Sequence, residues 1–393
     1  MSIFDRARLG ANGRIPSVNG VPDPVGNKVL SNFLEFHRTN IQAPDFFVNS
    51  GSSFNSEVDV FDTNESALHF VYSLFKPGEP YSNVVKRGHG VRALRYTART
   101  APRVRPVAAG NMQFMQGPNG STVPLNPTLI EVGQLAGMVP DTVRNQVDSL
   151  ETNNAAFQGS STNLHFGGGF MGSQSYMNAV YGTNFRIWSR NLLSDAMCRD
   201  LPVLRTIDVV SAVKPESTFA WRKGLSCMQC HETMDPLTGA IRNQMRIRTA
   251  PQNGIVFWVS RTVDRPSAPY PSINVDPDFA RRPADFSLKY RSFDGTLVDV
   301  SATGLSALGN ALAERDDLYV CASKRYFQLF TGIDVDVRDG GDPLNPLDLS
   351  PSEQKLRERV IQWGRQLKQD QDARELIKRI ISSPVFIYPD RGI

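Results

Sequence analysis

Cys227, Cys230 and His231 lie in the stretch SCMQCHETMDP (226–236) and are the residues of this chain best spaced to do chemistry together. The chain holds only four cysteines and five histidines in 393 residues, so coincidence explains the C-x-x-C-H arrangement poorly. This pattern is the attachment sequence of c-type haem: both sulfurs add to porphyrin vinyl groups, and the adjacent histidine meets the iron. On a helix, one turn brings the three side chains to one edge of the macrocycle. Two other tenants fit less well. A structural zinc wants four ligands, usually as two close pairs, and would have to borrow Cys198 or Cys321 from afar. A thioredoxin-type redox pair wants a preceding βαβ unit, which is not discernible.

One motif predicts one covalent haem c per chain, with His231 as the proximal ligand. The order of residues narrows the sixth position, because no Met follows Met245 and no His follows His231. Met245 and His165, the latter beside the glycine cluster HFGGGFM (165–171), are the candidate distal ligands; an open position is the third possibility. Met234 follows His231 by three residues on the same helix and would share its side of the ring. It is read as packing beneath the haem or fixing a turn at Asp235-Pro236.

Other signals exclude more than they suggest. GHGVRA (88–93) lacks the βαβ unit and the following acidic residue of a dinucleotide site. G-x-S-x-G, P-loop, H-E-x-x-H and EF-hand patterns are absent. Asp334, Asp336, Asp339 and Asp342 do not follow an EF-hand order and are read as a solvated acidic loop rather than a calcium site. The formal charge of +4, with no run of like charges, makes nucleic acid a poor partner. With 40% hydrophobic residues, the chain has a globular composition, and no apolar run reaches the ~18 residues of a membrane-spanning helix. Residues 1–17 carry no apolar h-region. Cys198 and Cys321 are either disulfide partners or two buried thiols.

These residues need elements to position them, and the chain is read as mainly α and multidomain. Residues 1–160 form an irregular N-terminal domain with several helices, 161–300 a haem-binding domain with a small β element, and 301–393 a C-terminal helical domain. Residues 1–60, rich in Gly, Pro, Asn and Ser, read as extended structure or loop. Leu68, Val71, Leu74 and Phe75 predict a helix after Asn64. Short helices are expected over 128–138 and 141–150, a turn at 165–171 and a helix over 181–201. Two-residue alternation predicts strands over 254–260 and 287–293, forming one small sheet or hairpin. Helices follow over 303–315 and 317–331, ended by Gly332. Ser350-Pro-Ser-Glu353 supplies an N-cap, a Pro at the first position and a Glu at the third for a helix carrying Leu356, Val360, Trp363 and Leu367. A last helix carries Leu376, Ile377, Ile380 and Ile381. Together these make a bundle of about four.

CMQCHETMDPL (227–237) resembles the C-x-x-C-H-x-x-M-D-P signature of the planctomycete-type cytochrome families. NLLSDAMCRDLP (191–202) is similar to the segment preceding their haem motif. GLSALGNALA (304–313), CASKRYFQLFTG (321–332) and IISSPVF (380–386) resemble their C-terminal helical domain. The likeness runs from about 165 to 388, and the chain departs from it in having neither the usual secretory start nor a second haem motif. It implies a cytochrome c-like haem region, and Cys198 and Cys321 occupy positions where the family commonly places two further cysteines. It further implies electron transfer to a redox partner protein in the periplasm or cell envelope. Export would then need a start upstream of Met1 or a processed form. A haem enzyme or the electron-carrying module of a larger oxidoreductase is the alternative; another is a cell-envelope structural or interaction protein with zinc or a disulfide at C-x-x-C.

Overall fold

The computed structural model describes residues 3–41, 64–95, 105–109, 112–116, 135–141, 167–179, 185–241, 245–251, 255–261, 283–342 and 346–387. It is mainly helical with small antiparallel sheets. The chain forms two compact units assembled from interleaved segments: Met1–Glu79, Asn83–Thr183 and Arg242–Arg282 in one, and Pro80–Ser82, Asn184–Ile241 and Pro283–Ile393 in the other. This division differs from three consecutive segments, and it puts C-x-x-C-H in the same unit as the C-terminal helices. Strand pairing explains the interleaving, because residues 242–282 supply strands to a sheet begun at 105.

In the first unit, α1 (Pro24–Asn40) packs against α2 (Glu65–Phe75). Helix α1 falls where extended structure is expected. Its start is nonetheless signalled: Asp23 accepts from the Val25 N–H at 2.9 Å, and Pro24 takes the first helical position. Leu30, Phe33, Leu34 and His37 then line one buried face. Helix α2 is buried on every side, not on one face, and Asn64 makes no side-chain cap bond to it. Aromatic rings join the pieces, with Phe33 edge-on to Phe75 at 5.4 Å and Phe170 tilted against Phe70 at 5.0 Å.

Strand β1 (Gly90–Arg95) is followed by β2 (Arg105–Ala109), β3 (Met112–Gln116) and β4 (Leu135–Asp141), and later by β5 (Met245–Pro251) and β6 (Ile255–Arg261). β1 pairs with β4, and β2-β3-β6-β5 form a four-stranded antiparallel sheet. Residues 135–138, expected as helix, are therefore strand. Gly137 explains the choice: its φ of +154° suits glycine, and a Cβ there would stand 2.1 Å from the Gly13 carbonyl oxygen. The expected helix over 141–150 lies beyond Asp141, outside the described residues. The predicted turn at the glycine cluster is present from Gly167 onward.

The second unit contains α3 (Phe185–Met197), α4 (Leu225–Leu237), the hairpin β7 (Asp285–Arg291) and β8 (Leu297–Thr303), then α5 (Leu305–Ala313), α6 (Asp316–Thr331), α7 (Pro351–Asp370) and α8 (Ala373–Ile381). The strands expected together, β6 and β7, belong to different sheets, since β7 pairs with β8. Helices α5 to α8 match their expected spans closely. Gly332 ends α6 in the left-handed conformation, and Ser350 and Glu353 form the reciprocal capping box of α7.

Cys198, just beyond α3, is bonded to Cys321 of α6, closing a loop with a sequence separation of 123. A closed loop of that size stabilises by roughly 2–5 kcal/mol. The acidic loop after α6 is ion-paired rather than freely solvated: Asp339 accepts from Arg205 Nη2 at 2.7 Å, Asp336 from Arg338 Nε at 2.7 Å, and Asp334 pairs with Lys324 at 3.1 Å. Among the described residues, no three His, Cys, Asp or Glu side chains are grouped to hold a metal ion.

Helices α6 and α7 approach closely at Gly364, where a Cβ would stand 2.6 Å from the Val320 Cα. Gly364→Val must push the helices apart or strain them, and a loss of about 2–3 kcal/mol is expected in urea unfolding. Unchanged stability would show that this contact does not set the α6–α7 spacing.

Candidate functional site

Helix α4 places the motif through what it buries. Met228, Thr233 and Leu237 face inward, and Met228 joins Leu204 and Val209 in a small apolar cluster. Thr233 Oγ1 donates to the Lys289 carbonyl of β7 at 2.7 Å, and Gln229 Nε2 donates to the Leu204 carbonyl at 3.0 Å. Just past the helix, Gly239 passes so near β7 that a Cβ would collide with the Asp285 carbonyl oxygen. These contacts leave Cys227 exposed and Cys230 and His231 half-buried. The expected turn at Asp235-Pro236 does not form. Pro236 sits inside α4, one residue before its end, where it removes the last-turn hydrogen bond to the Glu232 carbonyl and the helix stops directly after it.

His231 is held from two sides. Its Nδ1 lies 3.2 Å from Asp235 Oδ2, one helical turn on. A carboxylate only accepts, so Nδ1 is the donor in this contact, and in the corresponding neutral tautomer the lone pair lies at Nε2. Asp235 is itself clamped by Arg186 of α3, whose Nε donates to Oδ1 at 2.5 Å and Nη2 to Oδ2 at 3.0 Å. The indole of Trp221 stacks on the imidazole with ring centres 4.2 Å apart, and the guanidinium groups of Arg186 and Arg222 each lie 5.0 Å from the Trp221 ring centre.

The surroundings are apolar and open to solvent. The segments Thr206–Ala212 and Ala220–Lys223 pack against α4. They and their neighbours expose Ile207, Val210, Phe219 and Leu225, with Ile207 77% accessible.

Three tenants were expected, and the donor set separates them. Zinc needed a cysteine from elsewhere, yet Cys198 and Cys321 are bonded to each other. A redox-active pair wants a preceding βαβ unit, and none stands before α4 among the described residues of this unit; burial, with Cys227 beside it, pushes the Cys230 thiol up. Covalent haem asks for two accessible thiols three residues apart, a histidine with a free Nε2 and an apolar surface alongside. The residues present meet each requirement, so the site fits that group. Of the proposed distal ligands, Met245 opens β5 in the first unit, where its backbone alone is described, and His165 lies outside the described residues.

No protein-family model matches the chain, and no curated protein or solved structure matches it. The geometry therefore carries the functional argument.

Sequence reasoning overlooked Arg186. Arg186 lies 49 residues before Asp235 and joins it only because α3 crosses α4. Asp235 at i+4 from His231 was a readable signal, since that spacing puts the two on one helical face.

Before any haem is attached, a non-reducing thiol titration should find two reactive cysteines, with Cys227 alkylated ahead of Cys230; reduction in denaturant should reveal four. Equal rates for the two thiols would contradict the described burial.

The platform under α4 should be acid-sensitive. Asp208 accepts from Arg291 Nη2 at 2.6 Å and Nε at 2.8 Å, and from the Arg205 N–H at 2.9 Å. The Arg291 hydrogen bonds hold its carboxyl below the usual carboxylate range. Its contribution is thus complete above a pH of about 4 and is lost as pH falls through the lower folded-state value. Asp208→Asn should cost about 2 kcal/mol at pH 7 and progressively less as the medium is acidified. A penalty independent of pH down to about 2 would remove the ion pair from this account.

Proposed function

We propose that this chain is a c-type cytochrome-like electron carrier of the bacterial cell envelope, related to the planctomycete-type cytochromes. In this reading it binds one haem covalently through Cys227 and Cys230. The observation that carries the reading is the pairing of two free thiols, one exposed and one half-buried, with a histidine whose Nδ1 is tied to Asp235, on successive turns of α4 near exposed apolar side chains. Bound haem supplies a one-electron couple at its iron. The chain's own residues do the rest. Cys227 and Cys230 anchor the ring, His231 presents Nε2 to the iron, Asp235 keeps the proton on Nδ1, and Ile207, Val210 and Phe219 offer apolar surface to the macrocycle.

The Cys198–Cys321 disulfide supports an oxidising compartment, as the proposed periplasmic or cell-envelope location requires. No described helix is long and apolar enough to cross a membrane. A redox partner protein would receive or deliver the electron at the exposed face of α4.

Export of the full chain in a host with haem-maturation machinery tests this. Covalent haem should appear as a Soret band that survives acid–acetone extraction, and Cys227→Ala with Cys230→Ala should abolish it. His231→Ala should remove the proximal-ligand signature from any haem that remains attached. A six-coordinate haem inert to cyanide would favour electron transfer, whereas a cyanide-responsive one would favour the haem-enzyme alternative. Protein recovered without covalent haem under these conditions would overturn the proposal.

A further inference from the structure

Asp235 Oδ2 faces two donors at once, Arg186 Nη2 at 3.0 Å and His231 Nδ1 at 3.2 Å. Oδ1 faces Arg186 Nε alone at 2.5 Å. The carboxylate is therefore shared between a guanidinium, which neutralises it, and the imidazole, which it polarises. The arrangement closes on itself, because Arg186 also lies over Trp221 and Trp221 stacks on His231. All four side chains belong to one unit.

We propose that Asp235 and Arg186 are opposed positioning residues that tune His231 as an iron ligand. The inference rests on the haem reading above and adds to it what sets the reduction potential. A carboxylate accepting the Nδ1 proton makes Nε2 a stronger donor and places negative charge near the iron, which favours the oxidised state. Arg186 draws density from the same carboxylate and adds positive charge, which favours the reduced state. Removing either residue therefore shifts the couple in opposite directions. A strut that merely joined α3 to α4 would behave otherwise, since breaking it from either end would loosen the same contact.

The experiment is a spectroelectrochemical titration of the haem-loaded full chain as wild type, Asp235→Asn, Arg186→Gln and Arg186→Lys. Asn is isosteric with Asp, and Arg186 lies partly at the surface, so the variants are expected to fold; circular dichroism checks this. Asp235→Asn should raise the midpoint potential and Arg186→Gln should lower it. Each shift is expected to match about a tenfold change in the reduced-to-oxidised ratio at fixed poise, or roughly 59 mV for one electron. Arg186→Lys should return most of the Arg186→Gln shift. Shifts of the same sign, or none, in protein that carries covalent haem would overturn the tuning role while leaving the haem reading intact. A second readout needs no haem: nitrogen-15 spectra of the haem-free chain should show His231 protonated at Nδ1 in the wild type and redistributed towards Nε2 in Asp235→Ala. An unchanged tautomer would overturn the positioning role of Asp235 even if haem attachment also failed.

Discussion

The second unit is organised around a buried charge. Asp317, at the start of α6, accepts from Arg199 Nε at 2.8 Å, from the Phe293 N–H at 3.0 Å and from the Tyr290 hydroxyl at 3.3 Å, while Arg199 Nη1 donates to the Val337 carbonyl at 2.8 Å. Burial pushes the Asp317 carboxyl above its ordinary range, and Arg199 with the two hydrogen-bond donors pulls it back. Deleting one partner of such a pair costs about 3–5 kcal/mol, because the other charge is left buried alone. The cluster ties four pieces together: the end of α3, the β7–β8 hairpin, α6 and the loop beyond it. The disulfide fastens the same place covalently, since Cys198 and Arg199 are neighbours and Cys321 lies one turn from Asp317.

The candidate site depends on this frame while standing outside it. Helix α4 rests on β7 through Thr233, and Arg291 of the same strand holds Asp208 beneath the helix. β7 is in turn anchored by Tyr290 to Asp317. The motif thus projects from this layer with Cys227 exposed and Cys230 half-buried. A site built on regular elements keeps its geometry better than one on loops. Arg186 adds a second hold from α3, so His231 is oriented by elements on both sides of α4.

Much of the helical part was legible beforehand. The spacing of Leu356, Val360, Trp363 and Leu367, the Ser350–Glu353 capping box and Gly332 after α6 are local signals, and local hydrogen bonds obey them. Strands were harder to read, because a strand is completed by a partner that its own sequence does not name. β8 was passed over although it follows β7 by a tight turn, and β4 was mistaken for helix because Gly137 has value only against Gly13. α1 was different, since Asp23-Pro24 and the face of Leu30, Phe33 and Leu34 spell a helix start that the surrounding Gly and Asn obscured.

For the site, the sequence by itself determined the attachment chemistry on offer: two thiols and an imidazole at C-x-x-C-H spacing, with Asp235 a turn away. These are covalent identities and i, i+4 relations, which survive in any helix. Only the tertiary structure decided which alternatives remained. Pairing Cys198 with Cys321 withdrew the two sulfurs that zinc would have needed, and packing Met228 inward turned Cys227 outward. The crossing of α3 over α4 delivered Arg186 to Asp235 across 49 residues of chain. Such contacts arise from buried apolar faces choosing their partners, and no local pattern encodes that choice.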